Sequence, residues 1–220
     1  MTPLLKRGKT TIHLKNIAYF LVPALIFWIL GTWFLRGDNG LELLKTFHIN
    51  HSPFWDKVMS GITMVGEFGF IGPVLLLIML IWYRTWSFFG LIVLTQLLPF
   101  LMNQALKFTF KHPRPHSLHG QESWFHHIEG VIMHNQLSFP SGHTAGAFAF
   151  FLLLSLLIPV RFKFWAVVFF LIALMVGISR IYLGQHFFKD IYAGSILGTF
   201  IPILICRMWH RFTHKPLVQR

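Results

Sequence analysis

The chain has 220 residues, of which 55% are hydrophobic and only 12% are charged, whereas soluble domains carry about 25% charged residues. This composition excludes an ordinary soluble domain, and the continuously apolar runs exclude a membrane β-barrel, whose strands alternate in hydrophobicity. A net charge of +12 would suggest a nucleic-acid partner in a soluble protein. Here many of the cations cluster at the two chain ends, as in the cytoplasmic flanks of membrane proteins. We therefore predict an all-α polytopic membrane protein that does not bind nucleic acid.

Six apolar runs predict a bundle of six transmembrane helices that forms a single domain over residues 1–220. The first run is too long for a signal peptide and lacks a small-residue cleavage site, so we expect it to remain as an uncleaved span. The mixed segment 36–60 is predicted to lie along the membrane interface, with Trp55 at headgroup level. Cys206 is the only cysteine, so neither a disulfide framework nor a zinc pattern is expected. The predicted spans are 17–35, 64–83, 86–106, 144–160, 164–183 and 190–206.

The basic connections predict the orientation of the bundle. In a six-span arrangement the chain N-terminus, Arg84, the Arg161/Lys163 turn and the tail from Arg207 all fall on one side. Short basic connections mark the cytoplasmic side, so both termini are predicted to be cytoplasmic. The two polar stretches, 107–143 and 179–190, then meet on the outer side of the membrane. A five-span arrangement would separate them.

The stretch 179–190 carries the first group of candidate catalytic residues. His186 and Asp190 are four residues apart, so on a helix they would share one face. There the carboxylate could hold one imidazole nitrogen as a donor and leave the other as a nucleophile. Gly184 predicts a break between two helices. That break would allow Arg180 to lie over the histidine.

The outer segment 107–143 carries the second group. Lys107 and Arg114 supply cations near its start. At its end, Ser141 is a candidate N-cap, and Gly142 lets a backbone N–H approach an anion at the helix N-terminus. Such a donor set suits a phosphoryl group in transfer, with His186 attacking and His143 protonating the leaving oxygen on the opposite face. No metal or other cofactor is expected, because the fixed cations neutralise the developing charge.

Together these residues resemble the three-part signature of the type 2 phosphatidic acid phosphatase superfamily, which includes bacterial lipid phosphatases. The three parts occur in the family's order and spacing, which is far more specific than any single motif. They read Lys107-x6-Arg114-Pro115, Pro140-Ser141-Gly142-His143 and Ser179-Arg180-x5-His186-x3-Asp190.

The resemblance implies a role for each residue of the signature. His186 would form a phosphohistidine, Asp190 would orient it, and His143 would protonate the leaving lipid oxygen and then activate water. Five residues would hold the phosphoryl oxygens: Lys107, Arg114, Ser141, Gly142 and Arg180. The expected enzyme is an integral protein of the bacterial cytoplasmic membrane, with an extracytoplasmic active site and a lipid phosphate as its substrate.

Several alternatives remain open at this level. Undecaprenyl diphosphate, phosphatidylglycerol phosphate, phosphatidate and lipid A phosphate all suit such a site, and a lipid phosphotransferase is a close variant. A transporter or another non-catalytic protein that binds lipid or anions is the rival from a different class. The oligomeric state is also open, and Glu67 is interpreted as a capping or interfacial residue.

The part of the outer segment between residues 116 and 134 contains five histidines that the signature does not use. Their spacings match no zinc template, so we interpret the segment as a gate or headgroup-recognition loop. These residues are His116, His119, His126, His127 and His134.

Overall fold

The computed structural model describes residues 12–37, 39–81 and 85–213, and within these ranges the chain is helical without a β-strand. The predicted all-α class is therefore confirmed. The predicted basic N-terminus up to Lys9, the Arg84 connection and the tail beyond residue 213 lie outside the described residues. The helices are α1 (Ile17–Arg36), α2 (Gly40–Ile49), α3 (Pro53–Met64), α4 (Phe68–Ile81), α5 (Trp86–Phe110), α6 (Pro115–His119), α7 (Gly142–Leu157), α8 (Trp165–Tyr182) and α9 (Phe188–Thr213).

The described residues contain four segments that are long and apolar enough to cross a membrane, namely Leu14–Arg36, Trp86–His119, Trp165–Tyr182 and Phe188–Phe212. A fifth is present if α3 and α4, which are bent by 46° at a short break, form one crossing. The central helix α7 is apolar but only 16 residues long. The structure thus supports four or five spans, and the predicted count of six is not established. The segment predicted to lie at the interface forms α2 and most of α3.

Helix α7 is the centre of the bundle, with most of its side chains buried against α1, α5, α8 and α9. Phe148 of α7, Phe20 of α1 and Phe170 of α8 form a three-ring cluster with edge-to-face contacts. The ring centroids are 5.7–6.1 Å apart. Such pairs add about 0.5–1.5 kcal/mol each beyond the area they bury. This cluster fixes α7 against two neighbouring helices.

Two glycines allow α9 to approach α7 closely. A Cβ atom at Gly198 would lie 2.2 Å from the carbonyl oxygen of Ala145, and one at Gly194 would lie 2.6 Å from the carbonyl oxygen of Ser141. The spacing Gly194-x3-Gly198 is a small-residue pattern that brings helix backbones together in membranes. It places the start of α9 directly beside the start of α7, where the two predicted catalytic motifs lie.

The ends of the helices define two faces of the bundle. Helix α5 ends, α7 begins, α8 ends and α9 begins at the face that carries the signature residues. At the opposite face, the backbone N–H of His13 donates to the carbonyl of Leu156 at 2.9 Å. There the Lys163 ammonium also lies 5.0 Å from the ring centroid of Tyr19. The described start of the chain and the basic α7–α8 connection therefore share the face opposite the site.

Candidate active site

His186 lies in the loop between α8 and α9, and Asp190 lies in the first turn of α9. The i, i+4 spacing had predicted that the two residues share one helix face. That prediction is wrong, because only Asp190 lies in a helix. The two residues pair across the helix start, with His186 Nδ1 3.4 Å from Asp190 Oδ2. The same carboxylate oxygen accepts the backbone N–H of Phe187 at 2.9 Å. The loop thus orients the carboxylate through its own backbone.

The predicted helix break at Gly184 is confirmed, since α8 ends at Tyr182 and Gly184 has φ +64°. This left-handed conformation suits glycine. A Cβ at this position would also lie 2.7 Å from the Phe125 ring. The break turns the chain back after Arg180, so that Arg180 and His186 line one cavity.

Ser138 is also part of this group, although it lies outside the three signature blocks. Its hydroxyl donates to Asp190 Oδ2 at 2.5 Å and lies 3.3 Å from His186 Nδ1. All three side chains are buried, with His186 only 2% exposed. Burial lowers the pKa of His186 to about 3, and the neighbouring Asp190, which raises it, does not compensate. The imidazole is therefore neutral at physiological pH, which is the state required of a nucleophile.

The Ser141-Gly142-His143 turn begins α7, and the predicted N-cap at Ser141 is confirmed. The Ser141 hydroxyl oxygen accepts the backbone N–H of Thr144 at 3.4 Å and the Thr144 hydroxyl at 2.9 Å. Because both bonds use the oxygen of Ser141 as the acceptor, its own proton remains available for donation. The backbone N–H of Ser141 donates to the carbonyl of Asp190 at 3.0 Å. This bond ties the start of α7 directly to the start of α9.

Glu67 lies at the break between α3 and α4, with Oε1 3.5 Å from His143 Nε2. Its backbone carbonyl also accepts the first hydrogen bonds of α4, from Phe70 and Ile71. The capping position expected for Glu67 is therefore observed. The contact with His143 is additional and joins residues 76 positions apart.

Lys107 and Arg114 are held by carbonyl and amide oxygens of the surrounding loops. The Lys107 ammonium donates to the carbonyl of Leu137. The Arg114 guanidinium donates through Nε to the carbonyl of Gln136 at 3.0 Å and through Nη1 to Gln185 Oε1 at 2.9 Å. Neutral oxygens fix the positions of both side chains and leave their positive charge unpaired by these contacts.

Arg180 is almost fully buried, with 8% of its surface exposed. Its Nη1 donates to the hydroxyl of Thr63 at 2.8 Å, while its Nε is buried without a hydrogen-bond partner among the described residues. A buried charged donor that lacks a partner is costly, by about 1–3 kcal/mol or more. This cation is therefore suited to an anionic ligand.

These side chains meet at one end of a cavity of about 980 Å³. Six of the eight predicted site residues line it: Lys107, Arg114, Gly142, His143, Arg180 and His186. Ser141 and Asp190 are not among the lining residues and lie buried behind them. The rest of the wall is mainly apolar and comes from α4 and α5, with Leu75, Met79, Ile92, Leu97 and Phe100 among its members. The cavity is polar and cationic at one end and apolar along its length.

The loop histidines are distributed rather than collected at this cavity. His134 lines it, and His116 lies 3.2 Å from Asn135 Oδ1. Partial desolvation, followed by the charge of Arg114, lowers the pKa of His134. His126 contacts Asp56 instead, away from the cavity lining.

A helical membrane bundle with two histidines, a carboxylate and three cations around one cavity defines a membrane protein equipped for phosphoryl transfer. The family model of the PAP2 superfamily, which is the type 2 phosphatidic acid phosphatase superfamily, matches residues 84–214 of the chain. Phosphatidylglycerophosphatase B of Bacillus subtilis is 32% identical over 169 residues, which cover 70% of this chain and 74% of that protein. The undecaprenyl-diphosphatase BcrC of the same organism is 27% identical and covers 76% of this chain and 82% of its own length.

A solved structure extends the similarity beyond the matched family region. The crystal structure of a transmembrane PAP2-type phosphatidylglycerolphosphate phosphatase from Bacillus subtilis superposes with a TM-score of 0.62 at 25% identity. The match covers 90% of this chain and 99% of that one. The chain therefore belongs to the PAP2 superfamily, as the signature predicted, and it is an integral membrane phosphatase of this lipid phosphatase family.

Proposed function

We propose that the protein hydrolyses a phosphate or diphosphate group on a membrane lipid through a phosphohistidine on His186. The observation that carries this proposal is the two-part cavity, with cations and histidines at one end and apolar α4 and α5 side chains along the rest. A lipid could place its phosphate at the polar end while its chains remain against apolar surface. A soluble phosphate ester would gain nothing from that apolar wall.

The first step is attack of His186 on phosphorus. Nδ1 faces Asp190, so the proton is held on this nitrogen and the Nε2 lone pair is available for attack. The bond from Nε2 to phosphorus forms as the bond from phosphorus to the lipid oxygen breaks. His143, which is protonated when the anionic substrate is bound and Glu67 lies beside it, donates a proton to the leaving oxygen and becomes neutral. Asp190 and Ser138 stabilise the positive charge that develops on the imidazole of His186.

The second step is hydrolysis of the phosphohistidine. His143, now neutral, accepts a proton from a water molecule that attacks phosphorus, and the bond from phosphorus to His186 Nε2 breaks. Inorganic phosphate leaves and both histidines return to their starting states. Glu67, beside His143, would accept a hydrogen bond from its protonated ring and keep it oriented between the two steps.

The cations stabilise the transition state by binding the three equatorial oxygens of the phosphoryl group. Four donors belong to residues that line the cavity: Arg180 Nε, the Lys107 ammonium, the Arg114 guanidinium and the Gly142 N–H. The fifth donor that we propose is the Ser141 hydroxyl, which lies directly behind this lining. Each is held by the surrounding fold before substrate arrives, so little reorganisation is needed during the reaction. We therefore expect no metal requirement for turnover, with vanadate acting as an inhibitor that mimics the five-coordinate phosphorus.

We infer that the chain crosses the membrane six times, with α7 as a short crossing and the bent α3–α4 pair as another. Helix α7 spans about 24 Å at 1.5 Å per residue, so flanking residues would complete its crossing. Arg161 and Lys163 lie at the face opposite the site, which favours a cytoplasmic position for that face and for both termini. The active site then faces away from the cytoplasm of a bacterial cell. Because α1 and α3 pack on α8, we also infer a single domain over 1–220.

Phosphatidylglycerol phosphate is the first candidate substrate, supported by the curated relative that is 32% identical over most of its length. Undecaprenyl diphosphate is the second candidate, supported by the more distant diphosphatase. Both place a terminal phosphoryl group at the headgroup level of a membrane-anchored lipid. Phosphatidate and lipid A phosphate are the other candidate substrates. Transfer of the phosphoryl group to a second lipid is the other candidate reaction.

The test measures phosphate release by the purified protein in detergent with each of these lipids. Wild type and His186→Ala are compared, with His119→Ala as the matched control, since His119 is a histidine of the outer segment that does not line the cavity. We expect release by wild type and the control and none by His186→Ala, with unchanged thermal midpoints. Phosphoryl transfer that exceeds release when an acceptor lipid is added would identify a phosphotransferase. Lipid binding without release or transfer would overturn the enzymatic assignment.

A further inference from the structure

Outside the active site, a second group of metal-ligating side chains meets where the outer loop packs on α2 and α3. His51, Asp56 and His126 each offer one ligand atom, and these atoms all lie within 4.8 Å of one another. His126 Nε2 lies 3.0 Å from Asp56 Oδ2. The imidazoles of His51 and His126 are stacked, with centroids 3.5 Å apart and ring planes at 8°. The proposed reaction uses none of the three residues.

We propose that His51, Asp56 and His126 bind one divalent transition-metal ion, of which zinc is the best match. Two neutral imidazoles and one carboxylate are a common zinc donor set, and the carboxylate gives the site the negative charge that a dication requires. A water molecule would complete a tetrahedral shell. Within the described residues, the loop histidines alone form no such cluster, so His126 needs the two ligands from the α2–α3 region.

The distances fit this assignment. Zinc lies about 2.1 Å from each ligand, so ligands in a tetrahedral shell lie about 3.4 Å apart. The contact between His126 and Asp56 is already 3.0 Å. The largest separation allowed by the cluster, 4.8 Å, would close to this distance with a shift of about 0.7 Å by each partner. His51 is exposed, which gives the ion access from the outer aqueous side.

The surrounding contacts indicate what the ion would do. The other carboxylate oxygen of Asp56 accepts the Tyr182 hydroxyl at 2.6 Å. Tyr182 ends α8, four residues before His186. The backbone N–H of His126 donates to the imidazole of His48 on α2 at 3.0 Å. An ion at this point would join the outer loop, α2, α3 and the end of α8, and so stabilise the outer wall of the active site without taking part in the chemistry.

The test titrates zinc into full-length protein in detergent, purified through a histidine-free tag and stripped with chelator. Bound zinc is quantified by elemental mass spectrometry, and the midpoint of thermal unfolding is recorded with and without zinc. We expect one tightly bound equivalent and a higher midpoint in wild type. Removing His51 with His51→Gln should weaken this binding by about 100-fold or more and leave the midpoint of the zinc-free protein unchanged. His119→Gln, which changes a histidine outside the cluster, should retain the wild-type behaviour.

Asp56→Asn, which replaces the carboxylate ligand, is the second variant. It also weakens the contact to Tyr182 and therefore lowers the thermal midpoint of the zinc-free protein. Equal zinc binding by wild type and His51→Gln would overturn the proposal, as would the absence of a tight equivalent in wild type. Phosphate release is not the readout, so failure of this proposal is distinguishable from failure of the proposed reaction. Added zinc should raise the midpoint of the His186→Ala variant by the same amount as that of wild type.

Discussion

We predict that the hydroxyl of Ser138 contributes to kcat through its hydrogen bond to the carboxylate of Asp190. It donates to Asp190 Oδ2 at 2.5 Å inside a buried site, so Ser138→Ala removes one of the donors to a buried anion. Hydrogen bonds to charged groups contribute about 1.5–3 kcal/mol. If Asp190 must orient His186 and stabilise its positive charge, this loss lowers kcat by about 10- to 150-fold. Because Ser138 does not line the cavity, KM should change little.

The assay is steady-state release of inorganic phosphate from the preferred lipid by wild type and Ser138→Ala. Ser155→Ala is the matched control, because Ser155 is also buried but its hydroxyl bonds to the carbonyl of Phe151 within α7, at 2.8 Å. Thermal midpoints of both variants separate a catalytic effect from a folding effect. Wild-type kcat in Ser138→Ala, or an equal loss in Ser155→Ala, would refute the reasoning.

The remaining predictions concern charge, packing, pH and metal. Arg180→Lys keeps the charge but removes the Nε donor, so kcat should fall by about 100- to 1,000-fold, and full activity would contradict its role. Gly198→Ala should lower the thermal midpoint, at a cost of about 1–3 kcal/mol, because its Cβ would meet the Ala145 carbonyl at 2.2 Å. Gly90→Ala, with open space at its Cβ, is the control and should not destabilise. Because the neutral form of His186 is active and burial lowers its pKa to about 3, the activity that depends on this group should persist as pH falls through 6.5 and be lost only near 3. The measurement is kcat/KM, corrected for the ionisation of the substrate. A tenfold decline per pH unit that begins near pH 6.5 as the pH falls, and that is assigned to His186, would contradict this prediction. Chelator should leave turnover unchanged in an assay below the unfolding temperature, and vanadate should inhibit; a strict Mg²⁺ requirement would indicate another mechanism.

The three signature blocks were predictable from sequence because each is a local pattern with its own chemical logic. The N-cap at Ser141 and the break at Gly184 depend on backbone preferences of single residues, and both are observed. An even number of apolar runs separates the two polar stretches, 107–143 and 179–190. This count was enough to predict that the two stretches meet on one side of the membrane. The number of complete crossings was less accessible, because α7 is short and α3 and α4 are bent at Glu67.

The supporting contacts could not be predicted in the same way, because they join positions far apart in the chain. Thr63 holds Arg180 across a separation of 117 residues, and Glu67 reaches His143 across 76. Ser138 lies close to the signature in sequence, but its hydroxyl meets Asp190 only after the loop has folded back. No periodicity or spacing reports such contacts. The pairing of His51 with His126 is hidden for the same reason.

The central claim is that His186 becomes covalently phosphorylated, and direct trapping of this intermediate tests it most directly. Wild-type protein is mixed with lipid labelled in its terminal phosphate, denatured at alkaline pH within milliseconds, and mapped by mass spectrometry. The account predicts an acid-labile phosphoryl group on His186 in wild type and none in His186→Ala. A phosphoryl group found on another residue, or turnover by His186→Ala at the wild-type rate, would contradict it.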